Sequence, residues 1–180
     1  MSPERGCACC SGIGVPLNRR LLLGGGAAAA LLPLRPALAK GKYGYYDAMV
    51  LSCIDPRMQK PVAGYLQDRD LAGRYSMFTI AGAAIGVVAP AFAKWHPAFW
   101  DNLATSIELH HIKTVIAIDH RDCGAAKIAY GDNKVANPKI ETETHRTAIA
   151  EFKKEVAERH PDLKVEGGLM AVNGRIEMFT

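Results

Sequence analysis

Short apolar runs alternate with helical segments over residues 40–180, and this alternation constrains the fold more than any other feature. The clearest run is TVIAI at residues 114–118, which is rich in β-branched residues and short enough for a strand buried on both faces. Two further runs cover residues 48–53 and 75–80. Strands that alternate with helices predict an α/β fold, in which helices flank a mainly parallel β-sheet.

Helical patterns occupy most of the stretches between these runs. The predicted helices cover residues 56–70, 97–111 and 141–160, and another begins at residue 124. One stripe of the helix over 141–160 holds His145, Ile149, Phe152 and Val156. Residues 81–86 are small and predict a turn, whereas 131–139 (GDNKVANPK) predict a loop. Asn173 and Gly174 separate two apolar runs, which predicts a hairpin with a C-terminal antiparallel strand.

The first 39 residues have the parts of a secretory signal peptide. Arg19 and Arg20 precede an apolar run at 21–34, and a small-x-small tripeptide ends at Ala39. The paired arginines resemble a twin-arginine signal, and the run is short for a membrane span. We expect cleavage after Ala39, export to the periplasm, and a domain of residues 40–180 with no stable membrane span.

Two alternatives concern the same N-terminal segment. It could be a buried Ala/Leu helix of the domain, but three consecutive glycines at 24–26 would each cost about 1 kcal/mol in a helix. It could also stay uncleaved and anchor the protein in a membrane, which would change only the location. N-terminal sequencing of the exported form distinguishes cleavage from anchoring.

Charge and cysteine content exclude two classes of protein. The net charge is +4, but residues 40–180 hold 18 basic and 17 acidic residues, so they attract nucleic acid weakly. Of the five cysteines, Cys53 and Cys123 alone lie in the domain, too few for a disulfide framework. Taken by themselves, they could be buried structural cysteines or form one disulfide in an exported protein.

Polar clusters follow two of the predicted strands, at the point where each strand ends. Cys53 ends the run at 48–53, and His120 and Cys123 follow the run at 114–118. The carboxyl ends of parallel strands are where open sheets form their sites. Two thiolates and one imidazole, with a fourth position open, are the ligands of a catalytic zinc ion. The sequence therefore predicts a Zn²⁺ site at Cys53, His120 and Cys123.

Asp55 and Arg57 lie beside the first of these cysteines, and Asp55 has two possible roles. It could take the fourth metal position and close the site. Alternatively, it could pair with Arg57, whose planar guanidinium suits a carboxylate, and accept a hydrogen bond from a zinc-bound water. Zinc lowers the pKa of such a water to about 7, so that hydroxide exists at neutral pH.

The Cys-x-Asp-x-Arg motif followed by His-x-x-Cys-Gly resembles the β-class carbonic anhydrases, and the resemblance covers residues 46–130. It implies a parallel sheet with an added antiparallel strand, zinc bound by Cys53, His120 and Cys123, and an Asp55–Arg57 pair that orients the water. It also implies reversible hydration of carbon dioxide to bicarbonate by a zinc-bound hydroxide. The family forms homodimers or larger assemblies, so we expect a homodimer or a higher homo-oligomer.

The sequence departs from the family within the first motif, where Ile54 and Pro56 stand in place of small polar residues, and at two places beside the expected site. Thr79-Ile80-Ala81-Gly82-Ala83 replaces the usual Arg-Asn-Ala-Gly-Asn, and Asp119 replaces a glycine before the histidine. The altered turn motivates an alternative substrate, carbonyl sulfide or carbon disulfide, and we expect residues 80–85 to help form the substrate pocket. A second alternative is a non-catalytic zinc-binding or thiol protein on the same scaffold.

Several residues near the motifs have open roles. Asp119 and Asp122 could be solvated loop residues or could accept a hydrogen bond from an imidazole. His145 is expected to pack on its helix, and adjacent His110 and His111 point in different directions, which disfavours joint metal binding. The apolar stretch at 87–100 is expected to contact a second copy of the chain, although ordinary core packing would also explain it.

Overall fold

A computed structural model describes residues 44–179, and the expected signal peptide with its cleavage point lies outside them. The described residues form one five-stranded sheet in the order β2-β1-β3-β4-β5. The strands are β1 Ala48–Ser52, β2 Tyr75–Thr79, β3 Thr114–His120, β4 Lys164–Met170 and β5 Ile176–Phe179. The first four are parallel and β5 is antiparallel to β4, which confirms the predicted fold class.

Five α-helices accompany this sheet in the described part of the chain. They are α1 Gln59–Asp68, α2 Ala84–Val88, α3 His96–His110, α4 Gly124–Tyr130 and α5 Pro138–Arg159. Three short 3₁₀ segments, Pro56–Met58, Pro90–Trp95 and Asp132–Val135, lie beside α1, α3 and α5. Within residues 44–179, no helix combines the length and the apolar character needed to cross a bilayer.

The sheet is buried on both faces because alternate residues of its central strands point to opposite layers. Met49 and Leu51 pack with α2, α3 and α5, whereas Val50 packs with α1. All four residues of the predicted α5 stripe are buried. β1 and β3 pair directly in parallel register between these helical layers, so their carboxyl ends lie at one edge.

Two local predictions are corrected by the structure. Residues 84–86, expected as the end of a turn, instead form helix α2 together with Val87 and Val88, because the small and apolar side chains of this segment pack against the sheet and α5. Residues 131–139, expected as a loop, contain a 3₁₀ turn, and α5 already begins at Pro138. The Asn137 side chain caps α5 by accepting the backbone N–H groups of Lys139 and Ile140.

Candidate metal centre

Two adjacent strand ends bring the three proposed ligands together. Cys53 directly follows β1, His120 is the last residue of β3, and Cys123 precedes the first turn of α4. Since Ser52 pairs with Ile118 in parallel register, both strands reach the same edge of the sheet. All three side chains are buried, and their ligand atoms lie within 4.8 Å of one another.

The imidazole of His120 is oriented by the backbone beside it. Its Nδ1 lies 2.9 Å from the carbonyl oxygen of Arg121, which can only accept, so Nδ1 carries the proton. The buried Nε2 atom has no hydrogen-bond partner among residues 44–179. An imidazole that donates through one nitrogen and leaves the other free is typical of a metal ligand.

The two thiols differ in their surroundings. The neighbouring side chains of Cys123 and His120, together with a 3.3 Å hydrogen bond from the Gly82 backbone N–H, lower the pKa of Cys53 to about 4 against the opposing effect of burial. The proximity of Cys53 and burial raise the pKa of Cys123 above its ordinary value. Burial by itself lowers the pKa of His120, but the adjacent Cys53 outweighs it and raises the pKa. Both cysteines are free, and the donor set, with its unpartnered Nε2, fits a zinc ion.

Asp55 is held by Arg57 in a forked contact. Nη2 of Arg57 lies 2.7 Å from Oδ2 of Asp55, and its Nε lies 3.0 Å from Oδ1. The backbone N–H of Arg57 also donates to Oδ1, at 2.9 Å. These hydrogen bonds to the ionised form lower the pKa of Asp55 to about 2. Oδ2 lies 3.9 Å from Nε2 of His120, so this paired carboxylate lies beside the three candidate ligands.

Arg57 also contacts the second motif, through Asp122. Its Nη1 lies 2.8 Å from Oδ2 of Asp122, and its Nη2 lies 3.1 Å from the Asp122 carbonyl oxygen. The backbone at Asp122 is fixed in turn by Glu141 of α5, whose carboxylate accepts the Asp122 N–H at 2.6 Å. Asp122 is thus an anchor for Arg57 that motif spacing does not reveal.

An apolar cleft of about 370 Å³ opens beside the three ligands. Its apolar wall includes Ile54, Ala81, Phe92, Trp95 and Ile128. Three of these side chains remain well exposed: Ile54 at 61%, Ile128 at 73% and Trp95 at 40%. Of the turn expected to form the pocket, only Ala81 lines the cleft. The expectation was wrong for Ile85, which is fully buried in the core.

Asp119 and His145 form a buried contact that sequence reasoning did not identify. Nδ1 of His145 lies 2.8 Å from Oδ2 of Asp119, and neither side chain is exposed. Asp119 thus accepts an imidazole hydrogen bond, but from α5 rather than from His120. The aspartate at 119, where the family has glycine, was the sequence signal for this contact. The signal did not identify His145, which is 26 residues further along the chain.

Comparison with known proteins agrees with the fold and the motifs. The model of the "Putative carbonic anhydrase" family matches residues 45–179. An uncharacterized protein of Rickettsia bellii is 29% identical over 133 residues, which cover 74% of this chain and 81% of that protein.

Solved structures extend the same comparison. The β-carbonic anhydrase CcaA aligns with a TM-score of 0.53 and 13% identity, over 76% of this chain and 81% of that chain. The β-carbonic anhydrase CafA of Aspergillus fumigatus aligns with a TM-score of 0.50 and 16% identity, over 76% of each chain. At such identity the alignments establish the fold alone. Because the family match spans most of the chain, the protein belongs to the "Putative carbonic anhydrase" family, as a divergent member with the β-carbonic anhydrase fold.

Proposed function

We propose that this protein catalyses the zinc-dependent, reversible hydration of carbon dioxide to bicarbonate. The observation that carries the proposal is the position of the Asp55 carboxylate, 3.9 Å from the free Nε2 of His120 and beside two buried thiols. A metal-binding site without catalysis has no need of an ionised carboxylate held at this place by an arginine.

Cys53, His120 and Cys123 would hold the zinc ion, His120 through Nε2. The ion supplies Lewis acidity, which makes a water molecule nucleophilic at neutral pH. The Arg121 carbonyl keeps the His120 proton on Nδ1, so that Nε2 stays available for the metal. The Gly82 N–H stabilises the ionised thiolate of Cys53, the form in which cysteine binds metal.

Asp55 would act as a hydrogen-bond acceptor that orients the attacking water. Arg57 donates to both carboxylate oxygens and holds the pKa of Asp55 at about 2, so the group stays ionised at neutral pH and can only accept. A water that donates to Asp55 presents its oxygen lone pair elsewhere. Carbon dioxide would approach from the apolar cleft, which the side chains of Ile54, Trp95 and Ile128 border.

The exposed apolar rim of this cleft supports a homodimer. Ile54, Trp95 and Ile128 expose large side chains around one opening, and Trp95 stacks on Phe92 at a centroid distance of 4.5 Å. A second copy of the chain would remove this apolar surface from water. Sedimentation equilibrium of the wild type and of Trp95→Ser tests the assembly, and a monomeric wild type would contradict it.

Export is a separate part of the proposal and rests on the sequence of residues 1–39. A twin-arginine signal would carry the folded, metal-loaded protein to the periplasm. N-terminal sequencing of the periplasmic form should begin at Lys40. A protein retained in the cytoplasm with its N-terminus intact would contradict this proposal.

A second candidate keeps the site and changes the substrate to carbonyl sulfide or carbon disulfide. The altered turn at residues 79–83 motivates it, and the apolar wall of the cleft suits these linear molecules as well as carbon dioxide. The test supplies each gas to zinc-loaded protein and measures sulfide release, and it follows carbon dioxide by exchange of its oxygen with labelled water. Exchange without sulfide release supports the first proposal, and sulfide release without exchange supports the second. If neither reaction occurs, the protein is a non-catalytic zinc protein.

A further inference from the structure

The buried Asp119–His145 contact lies next to the metal centre and touches none of its ligand atoms. Asp119 is fully buried at the end of β3, one residue before His120. Its Oδ2 accepts from Nδ1 of His145 at 2.8 Å, and its Oδ1 accepts from the backbone N–H of Ala84 at 2.9 Å. One carboxylate therefore joins β3, α5 and the turn that leads into α2.

That turn has an unusual backbone. Gly82 has a φ of +84°, and Ala83 has a φ of +50° although it carries a side chain. Left-handed backbone conformations are unfavourable for alanine, so other contacts must hold this one. The bond from Ala84 to Asp119 is a buried contact that fixes the turn directly after the strained residue.

The turn delivers one contact to the metal centre. The backbone N–H of Gly82 donates to the sulfur of Cys53 at 3.3 Å. A hydrogen bond to a thiolate sulfur withdraws electron density from it, so the thiolate donates less to a bound metal. The orientation of the 81–84 turn would thus set how strongly the Cys53 thiolate donates to a bound metal.

We propose that Asp119 and His145 are positioning residues, which hold the 81–84 turn so that the Gly82 N–H stays on the Cys53 sulfur. The inference rests on the proposed metal centre. It assigns a role to a buried histidine on α5 and to the aspartate that stands where β-carbonic anhydrases have glycine.

The other nitrogen of His145 supports this role. Its Nε2 atom is buried and has no hydrogen-bond partner among residues 44–179. A buried, unpaired nitrogen costs stability, and an apolar side chain at this position would avoid that cost. Among the described residues, the His145 ring therefore makes its polar contact through Nδ1, with Asp119.

The test compares two amide substitutions at position 145, which differ by one methylene group. His145→Asn places an amide N–H near the Nδ1 position, whereas His145→Gln places it near Nε2. The full chain is loaded with cobalt(II), which gives a thiolate-to-metal charge-transfer band. We expect the band to move to longer wavelength in His145→Gln and to stay at its wild-type position in His145→Asn. His160→Gln, at the end of α5, is the matched control and should not move the band.

Amide hydrogen exchange gives a second readout that needs no activity. In the zinc-loaded protein, exchange at Gly82 should be at least about tenfold faster in His145→Gln than in the wild type, and unchanged in His145→Asn. A band and an exchange rate that are the same in both variants would overturn the inference. If His145→Gln fails to fold, Asp119→Ala replaces it, because it removes both oxygen acceptors; an unmoved band in that variant would also overturn the inference. A wild type that binds no cobalt would overturn the metal centre itself, and this inference with it.

Discussion

Arg57 and Asp122 contact each other across the site, with Nη1 of the guanidinium 2.8 Å from Oδ2 of the carboxylate. The two residues are 65 positions apart, and each belongs to a different motif. Asp55 and Asp122 therefore share one guanidinium, which fixes the plane of Arg57 and, through it, the Asp55 carboxylate.

The first prediction concerns this shared guanidinium. Asp122→Ala should leave zinc binding intact and lower carbon dioxide hydration about three- to tenfold, because Arg57 loses one of its two anchors at a partly exposed position. Hydration rate and zinc content are measured on the same sample. Asp162→Ala, at an exposed position near the end of α5, should change neither, and an unaltered rate in Asp122→Ala would contradict the anchoring role.

The second prediction concerns the pKa of Asp55. Its value of about 2 is below the ordinary 3.8, so the Asp55–Arg57 pair contributes its full stability above about pH 4 and loses it as the pH falls toward 2. Arg57→Leu should raise the pKa of Asp55 toward 3.8, measured by the carbon chemical shift of its carboxyl group.

Arg69 provides the matched control for that titration. It makes a comparable contact of 2.7 Å with Glu166, remote from the metal centre. Burial raises the pKa of Glu166, but the contact with Arg69 contributes to a net lowering. Arg69→Leu should therefore raise the pKa of Glu166 and leave the pKa of Asp55 unchanged. If Arg57→Leu left the pKa of Asp55 near 2, another group would be responsible for the low value.

The third prediction concerns two glycines. A Cβ at Gly82 would lie 3.0 Å from the Cβ of Ala125, at a φ of +84°, so Gly82→Ala should destabilise the fold by about 1–2 kcal/mol. Gly64 on α1 has no atom within 4 Å of its Cβ position, so Gly64→Ala should stabilise by about 0.5–1 kcal/mol. Urea denaturation measures both values. Equal effects of the two substitutions would contradict the tight packing of the 81–84 turn.

The sequence predicted the central strands β1 and β3 because each is a short apolar run bounded by turn residues, and it predicted the C-terminal antiparallel strand from the Asn173-Gly174 turn. Helix α2 was missed because five small and apolar residues carry no helical period. The start of α5 was missed because GDNKVANPK has a loop composition, although Asn137 and Pro138 are cap signals.

The motifs predicted which side chains gather at the sheet edge, since strand ends bring Cys53, His120 and Cys123 within 4.8 Å. They could not predict what holds these side chains. Asp122 and His145 act through contacts with residues 65 and 26 positions away in the sequence. The spacing of residues within a motif cannot predict contacts of such long sequence separation. The apolar wall of the cleft comes from four separate segments, so local spacing could not predict it either.

The fourth prediction concerns metal removal. Because an ion that binds only the folded state stabilises it by about 4 kcal/mol at a thousandfold excess over Kd, chelation should lower the Tm by about 10 °C or more. The Tm of His120→Gln should fall little further on chelation, whereas the Tm of His160→Gln should fall as much as that of the wild type. Differential scanning calorimetry measures these shifts, and a wild-type Tm unaffected by chelator would contradict the metal centre.

Stopped-flow carbon dioxide hydration, with zinc content determined on the same protein, tests the central claim most directly. The account predicts rapid hydration by the zinc-loaded wild type and a loss of about 100-fold or more in Asp55→Ala with zinc retained. Cys123→Ser should lose both zinc and hydration, and Asp162→Ala should keep both. A fully zinc-loaded wild type that hydrates carbon dioxide no faster than buffer, or an Asp55→Ala variant as fast as the wild type, would contradict it.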